Sequence, residues 1–176
     1  MLHALSLVLA LAAPPAPKHV PVATIAARPE DVSTIDGVMK AFYEVISGPS
    51  GAPREWARDR TLYIENVRFV SMHVGKDGKP VASVMSHQEY VDRTDPQLAK
   101  EGFDEREIHR ETKRFGNIAH VFSTYESRRA KDGPVFARGV NSLELFWDGT
   151  RWWVANAIWD DERKDNPIPK ELLPER

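Results

Sequence analysis

The most regular hydrophobic pattern in the chain lies near its carboxyl end, in residues 139–159. Two runs rich in Val, Leu and aromatic residues flank Asp148-Gly149, a dipeptide that favours a two-residue type I′ turn because both central positions need positive φ. With this turn, period-two alternation pairs Asn141 with Asn156 on the same face as five apolar residues. These are Leu143, Leu145, Trp152, Val154 and Ile158. The pattern therefore predicts a β-hairpin with an apolar face that ends in two amides.

Helical spacing of apolar residues dominates the earlier part of the chain. It predicts a helix over residues 29–47, which opens with Pro29 and two acidic residues and ends at Gly48-Pro49. A short helical segment is expected over residues 54–60. Ser86 and Glu89 have the spacing of a capping box, which predicts a further helix that ends before Gly102.

Strand-like runs fill most of the remaining chain. They cover residues 67–74, 80–85, 105–115, 118–128 and 135–160. Helices come early, the second half is rich in strands, and the links have hairpin length. This order indicates an α+β domain with an antiparallel sheet.

The amino terminus has a different composition. Residues 1–13 are almost continuously apolar and are followed by a Pro-rich stretch, which fits a secretory signal and predicts a secreted or periplasmic protein. A leader without this function is the alternative, because no Lys or Arg precedes the apolar run. Residues 14–28 are interpreted as a Pro/Ala-rich linker, residues 29–162 as the domain, and residues 163–176 as a carboxyl-terminal tail.

Composition excludes several classes of function. The net charge is −2 over 176 residues, without a long run of basic residues, so neither nucleic acid nor, once the signal is removed, a membrane is expected as a partner. The chain has no cysteine, which excludes a disulfide framework, a thiolate metal site and a Cys nucleophile. No phosphate-binding glycine motif, nucleophile elbow or paired-histidine metal motif occurs, so neither a metal nor a cofactor is expected.

Three stretches resemble the NTF2-like superfamily, in particular its SnoaL-like and ketosteroid-isomerase-like branch. They are residues 41–51, residues 115–126 and the hairpin around Asp148-Gly149 with Trp152-Trp153-Val154. The resemblance implies a strongly curved sheet wrapped around amino-terminal helices, which forms a cone with an apolar pocket, often in homodimers. Members include isomerases, dehydratases, hydrolases, cyclases and non-catalytic binders, so the resemblance does not choose a function.

A set of polar side chains is predicted to line that pocket. Alternation along residues 118–126 places Ser123 and Tyr125 on the pocket face and His120 on the convex face. The hairpin register adds the two amides, above a base of Leu143, Trp152 and Val154. The predicted ligand-binding residues are Tyr43, Tyr63, Tyr90, Ser123, Tyr125, Asn141 and Asn156.

Acid–base chemistry needs a carboxylate or imidazole with a pKa shifted by its surroundings. The candidates are His87, His109, His120 and Asp160. A structural interpretation competes with each candidate. His87 is expected to be an exposed residue of a helix cap, His109 to lie on a solvated, charged strand face, and Asp160 to belong to a solvated charge run.

The leading hypothesis is an exported domain that binds a small, largely apolar molecule, with no assigned reaction. A cofactor-free lyase or isomerase is the first alternative, with Tyr43 or Tyr125 as proton donor. A homodimeric interaction module is the second. Its interface would be the outer sheet face, which includes Trp153 and Trp159, unless the tail covers that face through Ile168, Leu172 and Leu173.

Overall fold

The computed structural model describes residues 19–175. Its helices are α1 (Pro29–Val32), α2 (Ile35–Glu44), α3 (Trp56–Arg60) and α4 (His87–Glu101), with a 3-10 turn at Lys170–Leu172. Its strands are β1 (Tyr63–Val74), β2 (Pro80–Met85), β3 (Asp104–Phe115), β4 (Ile118–Arg128), β5 (Val135–Trp147) and β6 (Trp152–Asp161).

The six strands form one curved, unclosed sheet in the order β2-β1-β6-β5-β4-β3. Four of the neighbouring pairs are antiparallel, whereas β1 and β6 run parallel. The helices α2 and α4 pack against the concave face, so the predicted α+β cone is confirmed. The expectation of a purely antiparallel sheet is wrong, because the chain crosses from one end of the sheet to the other before the last strand returns beside β1.

The β5–β6 hairpin forms with a different turn and register from those predicted. Trp147 pairs with Trp152, which leaves residues 148–151 as a four-residue loop in which only Gly149 has positive φ, at 102°. Leu145 then pairs with Val154, but Glu144 pairs with Asn156, so Ala155 is an extra residue in a β-bulge. The bulge turns every later side chain of β6 to the opposite face.

The predicted first helix is two helices. The helix is interrupted at Ser33 and Thr34. The Thr34 hydroxyl caps α2 by accepting a hydrogen bond from the Gly37 amide at 2.9 Å. The capping box predicted for α4 is present, with Ser86 and Glu89 each bonding to the other's backbone amide. Helix α4 ends at Glu101, before Gly102 as predicted.

The packed region begins before the predicted domain start. The Val20 amide donates to the Asp92 carboxylate at 2.8 Å, and the side chains of Val20 and Val22 pack against the buried cluster of Val45, Ile46, Trp56 and Val91. Residues 19–28 are therefore part of the folded domain rather than a free linker. The predicted signal and residues 14–18 lie outside the described residues, and export stays a prediction. Between residues 19 and 175, no helix is long and apolar enough to cross a membrane.

The tail covers part of the outer sheet face. The Thr124 hydroxyl donates to the Leu172 carbonyl at 2.6 Å, and Ile168 is buried. A cavity of about 310 Å³ remains between tail and sheet, with Phe122, Val140 and Ile158 among its lining residues. We call it the outer cavity. The tail therefore covers part of the patch from which a dimer interface was predicted.

Candidate functional site

A cavity of about 240 Å³ lies between the concave sheet face and the helices α2 and α4. Aromatic side chains are half of its lining residues, and polar residues of β3, β4, β5 and β6 are half of the rest. The lining residues are Phe42, Ile46, Tyr63, Phe69, Tyr90, Thr94, Leu98, Phe103, Glu105, Tyr125, Ser127, Phe136, Ala137, Asn141, Trp159 and Asp161. We call it the inner cavity.

The aromatic wall is held by ring contacts between different elements. The ring of Tyr90 on α4 stacks on Phe69 of β1, with centroids 4.6 Å apart, and meets Trp159 of β6 edge-on at 6.0 Å. Phe69 also meets Tyr63 edge-on at 4.9 Å. Such offset and edge-on pairs each add about 1 kcal/mol beyond the area they bury. The wall is therefore a fixed surface built by three elements.

The opposite end of the inner cavity is polar and acidic. The Tyr125 hydroxyl donates to the Asp161 carboxylate at 2.5 Å, and the Ser127 hydroxyl donates to Glu105 at 2.8 Å. The pKa of Glu105 is raised to about 7, mainly by burial, while the Ser127 hydrogen bond partly opposes the rise and the nearby Asp161 charge contributes to it. Burial, followed by the Asp161 charge, also raises the pKa of Tyr125, so this phenol stays protonated.

A chain of hydrogen bonds leads from this end towards the surface. The Asn141 amide nitrogen donates to the Tyr43 hydroxyl at 3.1 Å, and that hydroxyl lies 2.6 Å from the Ser123 oxygen. Ser123 donates to the Glu107 carboxylate at 2.5 Å. Tyr43 and Ser123 are buried behind the cavity wall, where they fix the position of Asn141.

Tyr63 is anchored by a buried carboxylate. Its hydroxyl donates to Asp59 Oδ1 at 3.1 Å, while Asp59 Oδ2 lies 2.7 Å from His87 Nε2. Asp59 is 0% exposed and His87 is 6% exposed. The expectation of an exposed cap-region histidine is therefore wrong, because Asp59 supplies a buried partner for the imidazole. These groups position Tyr63 but do not line the cavity.

The predicted pocket residues divide into three groups. Tyr63, Tyr90, Tyr125 and Asn141 line the inner cavity, and Tyr43 and Ser123 support it from behind. Asn156 lies on the outer face, because the bulge at Ala155 reverses the side on which it points. Its assignment to the pocket is wrong.

The remaining acid–base candidates lie away from the inner cavity. His120 is on the convex face, as predicted, with Nε2 2.9 Å from the Ser142 oxygen. Asp160 lies on the outer face and accepts from Arg163 at 2.6 Å. His109 is half-buried on β3, and its Nε2 is buried without a hydrogen-bond partner.

The acidic residues of the cavity are the main group that the sequence pattern missed. Glu105 falls in the run Asp104-Glu-Arg-Glu107, where charged residues occupy both faces of the strand, so alternation cannot identify the one that points inward. Asp161 belongs to the charge run that is predicted to be solvated around Asp160, and the bulge makes Asp161 face the cavity instead of Asp160. A β-bulge signal near Ala155 would have found it, but the local sequence has no glycine there.

Within residues 19–175, no cluster of three or more His, Asp or Glu side chains is arranged to hold a metal ion. The two cavity carboxylates instead hydrogen-bond to hydroxyl groups. The arrangement suits a ligand that is apolar along most of its length and polar at one end.

No protein-family model matches the chain, and no curated protein matches it. Solved structures do match in fold. A protein of unknown function with a cystatin-like fold from Nostoc punctiforme superposes with a TM-score of 0.52 at 7% identity, covering 74% of this chain and 90% of its own. An NTF-2 like protein of unknown function from Silicibacter pomeroyi superposes with a TM-score of 0.50 at 12% identity, covering 73% and 92%. The chain has an NTF2-like fold.

Proposed function

We propose that this NTF2-like domain binds a small, largely apolar molecule in its inner cavity. One observation carries the proposal: a continuous aromatic wall faces a cluster of polar groups across a cavity of about 240 Å³. Small-molecule sites commonly have such walls, with a few polar groups that fix the orientation of the ligand. No reaction is part of this proposal.

The cavity has room for a ligand because the side chains that could fill it are held elsewhere. The Tyr43 phenol, which is placed to enter the cone, is bonded to Ser123 and Asn141 and is buried behind the wall. The Tyr63 ring is held at the wall by the hydrogen bond from its hydroxyl to Asp59. The ligand would displace water from an apolar wall, at a gain of about 25 cal/mol for each Å² of apolar surface buried.

Calorimetric titration with phenethyl alcohol tests the proposal. Ala137→Leu adds bulk to a residue of the cavity wall and should weaken binding at least about tenfold, because ligand and side chain would overlap. Ala82→Leu makes the same change at an exposed position of β2 and should leave the affinity unchanged. Equal weakening by both variants, or absence of binding both of this alcohol and of probes that share its phenyl ring, would contradict the proposal.

The acid–base groups favour a second candidate, a cofactor-free isomerase or lyase. Glu105 has a pKa of about 7, which suits a group that accepts and returns a proton at neutral pH. Its carboxylate would take a proton from a carbon next to a ketone, and the electron pair would move to the carbonyl oxygen near Tyr125. This candidate ranks second because the enolate would face the Asp161 carboxylate, which already accepts the Tyr125 proton.

Deuterium exchange distinguishes the two candidates. An isomerase of this kind would exchange the protons beside the carbonyl of phenylacetone in deuterium oxide, followed by NMR. Glu105→Gln would then reduce exchange to background, whereas Glu111→Gln, at an exposed position of the same strand, would not. Background exchange with the wild-type protein would rule out this proton transfer and leave ligand binding as the proposed function.

A further inference from the structure

The inner cavity has an unbalanced charge. Two of its lining residues, Glu105 and Asp161, carry carboxyl groups, and none of the described residues that line it is Lys, Arg or His. Basic side chains contact the wall only from behind; Arg129, for example, stacks on Phe136 with its guanidinium carbon 4.2 Å from the ring centre. That guanidinium pairs with Glu101 and does not line the cavity.

We propose that the ligand of the inner cavity is a hydrophobic organic cation, such as an aralkyl amine. This inference rests on the proposed binding function and names the chemical class of its ligand. The ammonium group would lie at the Glu105 and Asp161 end, and the apolar part would lie against the aromatic wall.

The carboxylates favour a cation because their charges repel each other in the absence of one. The Asp161 charge contributes to the raised pKa of Glu105, which shows that the two groups act on each other. Glu105 is the more enclosed of the two, and a buried carboxylate is costly unless it is paired with an opposite charge or hydrogen-bonded. Asp161 lies at the exposed edge of the cavity. Each group has one hydroxyl donor, from Tyr125 or Ser127, so an ammonium would add the missing positive charge and further donors.

The aromatic wall suits the apolar part of such a ligand. Trp159 and Tyr90 both line the cavity, and a phenyl group beside them would bury apolar surface. An anion would be repelled by the carboxylates. A neutral ligand would gain the apolar contacts but not the attraction of the carboxylates.

Three probes that share a phenyl ring and a short arm separate these cases: phenethylamine, phenethyl alcohol and hydrocinnamate. Calorimetric titration of the full chain near neutral pH should give an affinity for the amine about tenfold or more above that for the alcohol. Hydrocinnamate should bind more weakly than the alcohol. The order would follow charge, because the apolar part of the three probes is nearly the same.

Isosteric variants test whether the cavity carboxylates cause this order. Glu105→Gln and Asp161→Asn should each lower the amine affinity about tenfold and leave the alcohol affinity unchanged. Asp160→Asn, one residue earlier on β6 but on the outer face, and Glu111→Gln on the exposed part of β3 are the matched controls and should change neither.

The outcomes separate this inference from the proposed function. If the alcohol binds as tightly as the amine, the preference for a cation is wrong but the binding function stands. The same conclusion follows if the control variants reduce amine binding as much as the cavity variants. If none of the three probes binds, both proposals are wrong.

Discussion

Glu105 is a carboxyl group held in conditions that oppose its ionisation. Its pKa is raised from the ordinary value of 4.5 to about 7, mainly by burial and to a smaller extent by the Asp161 charge. A carboxyl whose pKa is higher in the folded than in the unfolded state binds its proton more tightly when folded. Its contribution to stability is therefore favourable at low pH and is lost between about pH 4.5 and 7.

Replacing Glu105 by Gln should therefore stabilise the protein at high pH. The ionised carboxylate costs about 2–3 kcal/mol above pH 7, so Glu105→Gln should raise the free energy of unfolding by up to that amount near pH 8. Near pH 4.5 the gain should be much smaller. Urea unfolding at both pH values measures the difference. Exposed Glu111, replaced in the same way, is the control, and an equal effect at both pH values would contradict the raised pKa.

Single residues also show where sequence reasoning ends. Tyr90, Tyr125 and Asn141 could be predicted as cavity residues, because each lies on an element with a clear apolar face. Glu105 could not, because charged residues on both faces of β3 remove the alternation that would separate inside from outside. Its inward position follows from packing against α2, which is tertiary information.

Among the elements, β6 determines which side chains face the inner cavity. Alternation predicts its residues correctly as far as Val154, and the bulge at Ala155 then exchanges the two faces. Asn156 and Ile158 consequently turn to the outer face, while Trp159 and Asp161 turn to the inner face, where both line the inner cavity. Alternation of apolar and polar residues predicts the strand but not the bulge, because both faces of this segment carry apolar residues.

The segment of residues 19–28 is a second element whose role can be tested. Its contacts through Val20 and Val22 with the second buried cluster indicate that it stabilises the domain. Removal of residues 1–28 should lower the melting temperature by several degrees, consistent with a loss of about 1–2 kcal/mol. Removal of residues 1–18 alone should leave it unchanged, because no core periodicity occurs there. Equal melting temperatures for the two truncated chains would contradict the structural role of residues 19–28.

For the whole molecule, the tail decides how much apolar surface the convex face exposes. Ile168 is buried, and Leu172 accepts from Thr124 over the outer cavity. Trp153 remains on the outer face, stacked under Arg151 at 3.7 Å and donating to Asp148 at 2.6 Å, whereas Trp159 points inward. The apolar patch available to the predicted homodimer is smaller than alternation suggested, and the dimer stays a prediction.

Removing residues 163–176 should expose Phe122, Val140 and Ile158 and cause self-association. Sedimentation velocity at micromolar concentration measures this for the truncated and the full chain. If the full chain is a dimer, Trp153→Asp should separate it, because a charge would be buried in the interface. A truncated chain that sediments as a monomer would contradict the covering role of the tail.

The fold could thus be predicted from element order and hairpin signals. The positions of the acidic residues in the cavity could not, because they depend on a bulge in β6 and on the packing of β3. The proposed function places the bound ligand in the inner cavity. Two cavities of similar size lie on opposite faces of the sheet, so the position of a bound molecule distinguishes them.

NMR of the protein with bound phenethylamine makes this test most directly. We expect nuclear Overhauser contacts from the ligand to Tyr90 and Phe103, and a shift of the Glu105 carboxyl carbon towards its ionised form, because a nearby cation lowers the pKa of this group. Contacts to Phe122 and Leu172 of the outer cavity, with an unchanged Glu105 signal, would contradict the account.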